Sequence, residues 1–440
     1  MRHMKIFAAV VLLACVAGAG WAELQNVEVG GGLRIRGNYY NLDSLGDLSY
    51  IEQRTKLNVK ADFTNDVSAF IELDSYDIWG EDFRSNYLTG ADGRAASGDD
   101  VELYQAYINV KDMWGTPLQL RVGRQELSFG NEWLVGVNNA ASDFRGLSFD
   151  ALRLTYAADT FSVDAVAAKL AETFGDFGED DTNLYAVYGS YTGVEDIVID
   201  AYWMYVMDDG VAVGDDVDLH TIGLRGAGTF GAFDFKVEGA YQFGEIDGQP
   251  SACPFGFGTA DVEYDEFGGN LEVGYTFDMA WTPRPFARFA YLGGGDPDTS
   301  FWSNDRTLPF NRLFSNMEYS EFIEVTDLSN LFYYALGVDV APTECLSFQL
   351  VGAYFVADET LPDTGWWFWK DSKDDSIGWE AGLYGNYQYS DDLVFRAGYI
   401  HFFGDDGLED AFNALNGLST YGFDGDDDLD YVFIETEIAF

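Results

Sequence analysis

The stretch that decides the fold is the last one, Tyr431-Val432-Phe433-Ile434-Glu435-Thr436-Glu437-Ile438-Ala439-Phe440. At a side-chain period of two, Ile434, Thr436, Ile438 and Phe440 point one way, and Phe433, Glu435 and Glu437 the other. A strand apolar on one face, polar on the other and ending on a C-terminal aromatic fits the closing strand of an outer-membrane β-barrel. Lipid takes the first face and a wet lumen the second.

The N-terminus agrees. Arg2 and Lys5 precede an apolar run from Ile6 to Gly20, then Trp21 and Ala22, which reads as a secretory signal cleaved after Ala22. Leu12-Leu13-Ala14-Cys15 faintly resembles a lipoprotein cleavage site, but the apolar run continues past Cys15. The expected organisation is residues 1–22 as signal and 23–440 as one domain. Beyond the signal, no stretch reaches the roughly 18 apolar residues a membrane helix needs. An exported chain that spans a membrane must then do so as a closed barrel, in a Gram-negative-type outer membrane. The abundance of Gly, 49 residues, and the 17% aromatic content suit that reading, with no linker or composition break to divide the chain.

Working outward from the last strand, period-two alternation bounded by turn residues gives about eighteen strands, all antiparallel. The first is Val27–Tyr40, the second Ile51–Phe63, and the penultimate Leu393–Phe402. The connections sort by parity. Asn65-Asp66, Asp112–Pro117, Ala157–Thr160, Thr229–Ala232 and Ser390–Asp392 are short. Residues 78–103, 126–148, 207–220, 244–267, 293–331, 357–377 and 403–430 form long, acidic, Gly-rich connections. Short periplasmic turns and long extracellular loops are the barrel pattern, with both termini periplasmic. Cys253 in a long loop and Cys345 in a short turn then lie at opposite ends, too far apart for a disulfide, so two free thiols are expected.

The formal charge is −51, with 75 acids and 24 Lys+Arg. Most acids fall in the predicted extracellular loops, where they read first as solvated surface. Divalent-cation binding is the sharper alternative, with Asp424, Asp426, Asp427 and Asp428 as the candidate Ca²⁺ ligands, although no Glu follows at EF-hand spacing. No other cofactor is indicated. The scarce bases discriminate more. Arg34 and Arg36 share the polar face of the first strand, and Arg54, Lys56 and Lys60 that of the second. Arg121, Arg153, Arg225, Lys236, Arg288 and Arg396 also take inward parity. Facing lipid, each would cost about 2–4 kcal/mol at the midplane, so all are expected to line the lumen. Glu435 and Glu437 lie on the strand that must close against the Arg34–Arg36 ladder. They either pair with it to fix register or set a transverse field across a constriction that selects charged or polyhydroxyl solutes.

Three segments of the first half carry a resemblance. Val101-Glu-Leu-Tyr-Gln-Ala-Tyr-Ile108 precedes Leu120-Arg-Val-Gly-Arg-Gln-Glu-Leu-Ser-Phe-Gly130, then Phe144-Arg-Gly-Leu-Ser-Phe-Asp-Ala-Leu-Arg-Leu154. Together they resemble the alginate-export family of outer-membrane porins, and Phe310-Asn-Arg-Leu-Phe314 resembles a loop segment of that family. The resemblance implies an eighteen-stranded monomer that passes a polysaccharide, with Arg34, Arg54, Arg121, Arg124 and Arg153 near the matching motifs and all five expected to line the pore. The acid-heavy loops depart from an alginate exporter, because a negative mouth repels a polyanion over about a Debye length, ~8–10 Å.

Other classes fare worse. Only His220 and His401 remain after the signal, and Asp218 beside His220 comes without a nucleophile motif, so no enzyme is expected. The charge opposes nucleic acid. The expected partners are outer-membrane lipid and a hydrophilic solute or polysaccharide. A cation-preferring diffusion porin and a surface scaffold or adhesin barrel remain as alternatives, separable by single-channel conductance.

Overall fold

The computed structural model describes residues 24–41, 46–63, 66–80, 101–137, 144–172, 181–208, 216–250, 259–295, 306–322, 328–360, 374–405 and 428–440. The signal, Cys253, Asp424, Asp426 and Asp427 lie outside them. Cys345 is a free, exposed thiol.

The wall strands are β1 (Asn26–Asn41), β2 (Asp47–Asp62), β3 (Val67–Ile78), β4 (Glu102–Val110), β5 (Leu118–Gln125), β6 (Phe149–Ala157), β7 (Phe161–Ala171), β8 (Thr182–Val194) and β9 (Ile197–Asp208). They continue as β10 (Val217–Phe230), β11 (Phe233–Pro250), β12 (Thr259–Tyr275) and β13 (Arg284–Leu292). After the short β14 (Arg306–Leu308) come β15 (Leu331–Thr343), β16 (Leu346–Ala357), β17 (Ser376–Gln388), β18 (Leu393–Gly404) and β19 (Asp428–Ala439). Eighteen of the nineteen form a closed antiparallel barrel, each expected strand among them. β14 stands apart and pairs parallel with β12 at Val262–Tyr264.

Closure is carried by β1 against β19. Arg34 faces Glu437 and Arg36 faces Glu435 in register. Phe440 exchanges backbone hydrogen bonds with Gly31, at 2.9 and 3.0 Å. A Cβ on Gly31 would sit 2.4 Å from the Lys56 carbonyl and 3.0 Å from the Phe440 ring, so this seam needs glycine.

The outer face is apolar at mid-height. Leu57, Val59 and Ile434 are exposed there at 46%, 38% and 67%. Exposed Tyr39, Trp203 and Trp379 mark the long-loop end, and Tyr191, Tyr387 and Phe395 the short-turn end. Such aromatic girdles bound the hydrocarbon layer of a membrane barrel.

The inner face divides by height. Toward the short turns it carries Arg153, Asp164, Asp200, Glu272, Arg284, Asp339 and Arg396, joined in ion pairs. Toward the long loops it is apolar on β7–β9, β13 and β15, with buried Val166, Ala168, Leu184, Ala186, Met204, Ala290, Leu292 and Leu331, and polar on β1–β3, with buried Arg36, Asn38, Glu52, Arg54 and Asp74. An apolar inner wall requires a covering, and the chain supplies it from two connections that the sequence placed outside.

A third connection also differs from expectation. Residues 244–267 do not form a loop throughout, because β11 and β12 run on as a paired ribbon, with Glu245 opposite Glu263 and Ile246 opposite Val262. The acidic, Gly-containing composition reads as loop, yet the ribbon has solvent on its polar positions and continues an existing ladder.

Candidate functional site

Two segments enter the lumen. The first follows β5, and within it Leu127, Trp133, Leu134 and Val135 are 0–2% exposed. The second follows β14 and runs from Pro309 to Phe322, with Phe310 at 1% and Tyr319 at 6% exposure. Both leave the long-loop end but fold back inside, because each carries apolar side chains that match the apolar upper wall.

The segments are bonded to each other. The Phe314 amide donates to the Leu134 carbonyl at 2.8 Å, and the Gly136 amide to the Phe314 carbonyl at 2.8 Å, around a parallel bridge of Val135 and Phe314. The Trp133 indole N–H donates to the Tyr319 hydroxyl at 3.0 Å. Trp133 stacks on Phe310, with centroids 5.4 Å apart and planes at 16°. Asn316 meets Glu132 through its backbone, at 2.9 Å, and through its side chain.

They are also bonded to the wall on several sides. Phe310 lies on Gly268 of β12, where a Cβ would come within 2.8 Å of its ring, so the small residue is the seat. Gln242 of β11 donates to the Asn311 carbonyl and accepts from the Asn311 amide, both at 2.7 Å. The Arg225 guanidinium donates to Asn131 at 2.7 Å. Phe322 meets Tyr40, Phe402 and Tyr431 on β1, β18 and β19. Ser320 donates to Glu380 at 2.7 Å. The segment 309–322 is therefore a strap from β11–β12 to β17–β1. On the β1–β3 side, Phe144 lies under the Arg34 and Arg36 guanidiniums, at 4.3 and 5.4 Å.

The basic ladder lies on the inner face and is matched by acids. Glu435, fully buried, pairs with Arg34 at 2.9 Å, Arg36 at 2.6 Å and Arg396 at 2.6 Å. Glu437 takes Arg396 as well. Arg54 pairs with Asp74 at 2.6 Å, Lys56 with Glu72 at 3.2 Å and Glu126 at 3.5 Å, and Lys60 with Glu28 and Asp62 near the short-turn end. Arg153 pairs with Asp164 at 2.7 Å. Arg121, directly opposite Arg153 in register, instead covers the Tyr107 ring at 4.5 Å and has no carboxylate partner among the described residues.

Arg124 corrects the expectation that it lines the pore. It shares outward parity with Val122 and is exposed, bonded to Asp150 at 2.8 and 2.9 Å on the outer face. Counting alternation from Arg121 across Gly123 gives this parity directly. The family motif, not the period, had placed it inside. Asp428, the described member of the candidate Ca²⁺ set, heads β19 with its carboxylate 3.9 Å from His401 Nε2. His401 Nδ1 bonds the Asp430 carboxylate at 2.8 Å. His220 stacks between Tyr205 and Phe243, at 4.3 and 5.1 Å.

The strap brings three carboxyls together. Burial, helped by the charges of Glu318 and Glu380, pushes the Glu321 carboxyl up to about 8, against the pull of Arg36 and a hydrogen bond from Tyr384. Below the strap, toward the short turns, is a cavity of about 340 Å³ lined in part by Asn131, Asn270, Arg288, Glu318, Tyr319 and Tyr333.

Sequence reasoning missed the strap and its mate. The signal was present as Trp133-Leu134-Val135 and Phe310–Phe314, apolar runs in nominally exposed loops, and as Leu184 and Ala186 at inward parity.

The alginate export family model matches residues 25–392. A search of curated proteins finds no match. In structure the chain is similar to Pseudomonas aeruginosa OccK8 (OprE), with a TM-score of 0.56 and 15% identity over 94% of this chain and 98% of that one. It is similar to Pseudomonas aeruginosa OccD3 (OpdP), with a TM-score of 0.57 and 13% identity over 96% and 94%. It is also similar to Acinetobacter baumannii OccAB4, with a TM-score of 0.54 and 13% identity over 94% and 99%.

Proposed function

The chain belongs to the alginate export family and is an outer-membrane channel for hydrophilic solutes, and on that premise we propose that it conducts a carbohydrate chain through a lumen its own two inward segments hold closed at rest. The observation that carries this is the Trp133–Tyr319–Phe310 contact between the segments, inside the barrel. A general diffusion porin keeps a permanent water path, and an interior this extensively bonded argues for gating. A scaffold or adhesin would have no use for the polar lower half, where Arg, Asp and Glu alternate around the wall.

In this reading the polar half is a vestibule that receives the chain, and the strap must move for it to pass. Arg121, which has no carboxylate partner among the described residues, sets the local field there. The paired Arg34, Arg36 and Arg54 hold the seam and the adjoining wall. A single barrel encloses the whole path, which supports a monomer as the working unit.

The test is paired: single-channel conductance in planar bilayers, and release of oligosaccharides from proteoliposomes. Low resting conductance, with oligosaccharide release on removal of residues 309–322, supports the reading. A large, steady conductance in the intact protein would favour the diffusion porin.

A further inference from the structure

The tip of the first inward segment rests on one arginine of the wall. Residues 129–132 form a tight turn, in which the Glu132 amide donates to the Phe129 carbonyl at 2.8 Å. Phe129 stacks on Tyr188 of β8, with centroids 4.8 Å apart and planes at 15°. Gly130, at a φ of +58°, lies against Arg225 of β10. A Cβ at Gly130 would come within 2.9 Å of Arg225 Cδ and 2.7 Å of the Tyr188 hydroxyl, so only glycine lets the turn approach this closely.

The Arg225 side chain is 10% exposed, and its donors are unevenly used. Nη1 donates to Asp200 of β9, whose carboxylate also accepts from Tyr188 at 2.9 Å. Nη2 donates to the Asn131 carbonyl oxygen at 2.7 Å. Nε, on the same edge of the guanidinium as Nη2, has no hydrogen-bond partner among the described residues. Glu238 of β11 stands directly opposite Arg225 in register, with Oε2 4.0 Å from Nε. That oxygen is also without a hydrogen-bond partner among the described residues, while Oε1 accepts from Tyr202 at 2.9 Å.

The Nε–Nη2 edge of an arginine is shaped for a carboxylate, which it can hold through two parallel hydrogen bonds. Here an amide oxygen from the inward segment takes half of that edge, and the carboxylate that would fill it waits out of reach. Each of these buried charged groups has an unmet atom, which raises the free energy of the docked arrangement. When the turn withdraws, Asn131 and the Gly130 backbone leave Arg225 together. The 4.0 Å gap to Glu238 exceeds an ordinary charged hydrogen bond by only about 1 Å, so a small side-chain shift closes it.

We propose that Arg225 is a two-position clasp. It holds the first inward segment through Asn131 in the closed channel and takes Glu238 in the open one, so that Glu238 stabilises the open state. It rests on the gated reading above and adds the groups that set the balance between the two states. Because the two partners of Arg225 belong to opposite sides of the equilibrium, removing them must act in opposite directions. A merely structural role for the cluster gives no such opposition.

Single-channel recording of the full barrel in planar bilayers at pH 8 tests it, with open probability as the readout. Glu238→Gln keeps the acceptor for Tyr202 and should lower open probability about tenfold, the effect of one charged hydrogen bond. Asn131→Ala should raise it severalfold, and the double variant should return close to the unsubstituted protein. Heat-modifiable gel mobility and an unchanged urea midpoint confirm that each variant keeps its barrel. Either single variant leaving open probability unchanged, or both moving it the same way, overturns the clasp. If Trp133→Ala alters open probability while Glu238→Gln does not, the gate stands and this inference falls. If none of the three variants alters it, both fall.

Discussion

Trp133 and Tyr319, 186 residues apart in sequence, are joined by a 3.0 Å hydrogen bond inside the barrel, with Phe310 stacked on the indole. The contact holds one inward segment to the other. Removing a fully buried Trp costs about 3–5 kcal/mol in a packed core, and here that loss falls on docking, since the wall strands keep their own ladders. Trp133→Ala should raise single-channel conductance severalfold with an unchanged unfolding midpoint. A fall in the midpoint at constant conductance would show that Trp133 serves the barrel, not the gate.

The seat of the strap gives a subtler variant. Phe310 occupies the space over Gly268 that a Cβ would need. Gly268→Val should lift Phe310, break the register of Asn311 with Gln242 and increase protease cleavage within 309–322. The outward face of β12 should be untouched, so heat-modifiable mobility should persist. Unchanged cleavage rates would place the seat elsewhere.

Glu435 concentrates the closing electrostatics. It is 1% exposed and takes ion pairs from Arg34, Arg36 and Arg396 on both neighbouring strands. Breaking a buried pair by removing one partner costs about 3–5 kcal/mol, because the opposite charge stays buried. Glu435→Gln should therefore lower the urea midpoint of the barrel clearly. Glu437→Gln, at a more exposed position, should lower it much less.

These cases divide between what the sequence displays and what it hides. Period-two alternation is local, so β1, β2 and β19 were legible, and so was the inward parity of Arg34, Arg54 and Arg153. The partners were less so, since Arg54–Asp74 or Arg225–Asn131 depends on register between strands or on a loop that returns. The inward segments were hidden for a related reason. Trp133 and Phe310 are buried only because Leu184, Met204 and Gly268 lie opposite, and no single stretch of sequence states that match. Arg124 shows the converse error, in which a motif overrode a parity that Val122 beside it made plain.

The strap should also respond to pH. Glu321 has its carboxyl raised to about 8 by burial and by Glu318 and Glu380, with Arg36 and Tyr384 opposing. A carboxyl raised on docking favours the docked form fully below the ordinary carboxylate range, and that contribution is lost as pH rises to about 8. Strap cleavage and conductance should therefore rise between pH 5 and 8 and level off above. Glu321→Gln should flatten the rise, and an identical slope in that variant would assign the titration to another group.

The central claim is that passage requires the two inward segments to part. Val135 and Phe314 are partners in a parallel bridge, close enough for a disulfide, whose Cα atoms typically lie 4.4–6.8 Å apart. Val135→Cys with Phe314→Cys, in a background with Cys253 and Cys345 replaced by Ser, provides a reversible lock. The most direct measurement is oligosaccharide release from proteoliposomes containing this variant, oxidised and then reduced. The account predicts no release when oxidised and recovery on reduction. Equal release in both states would contradict it.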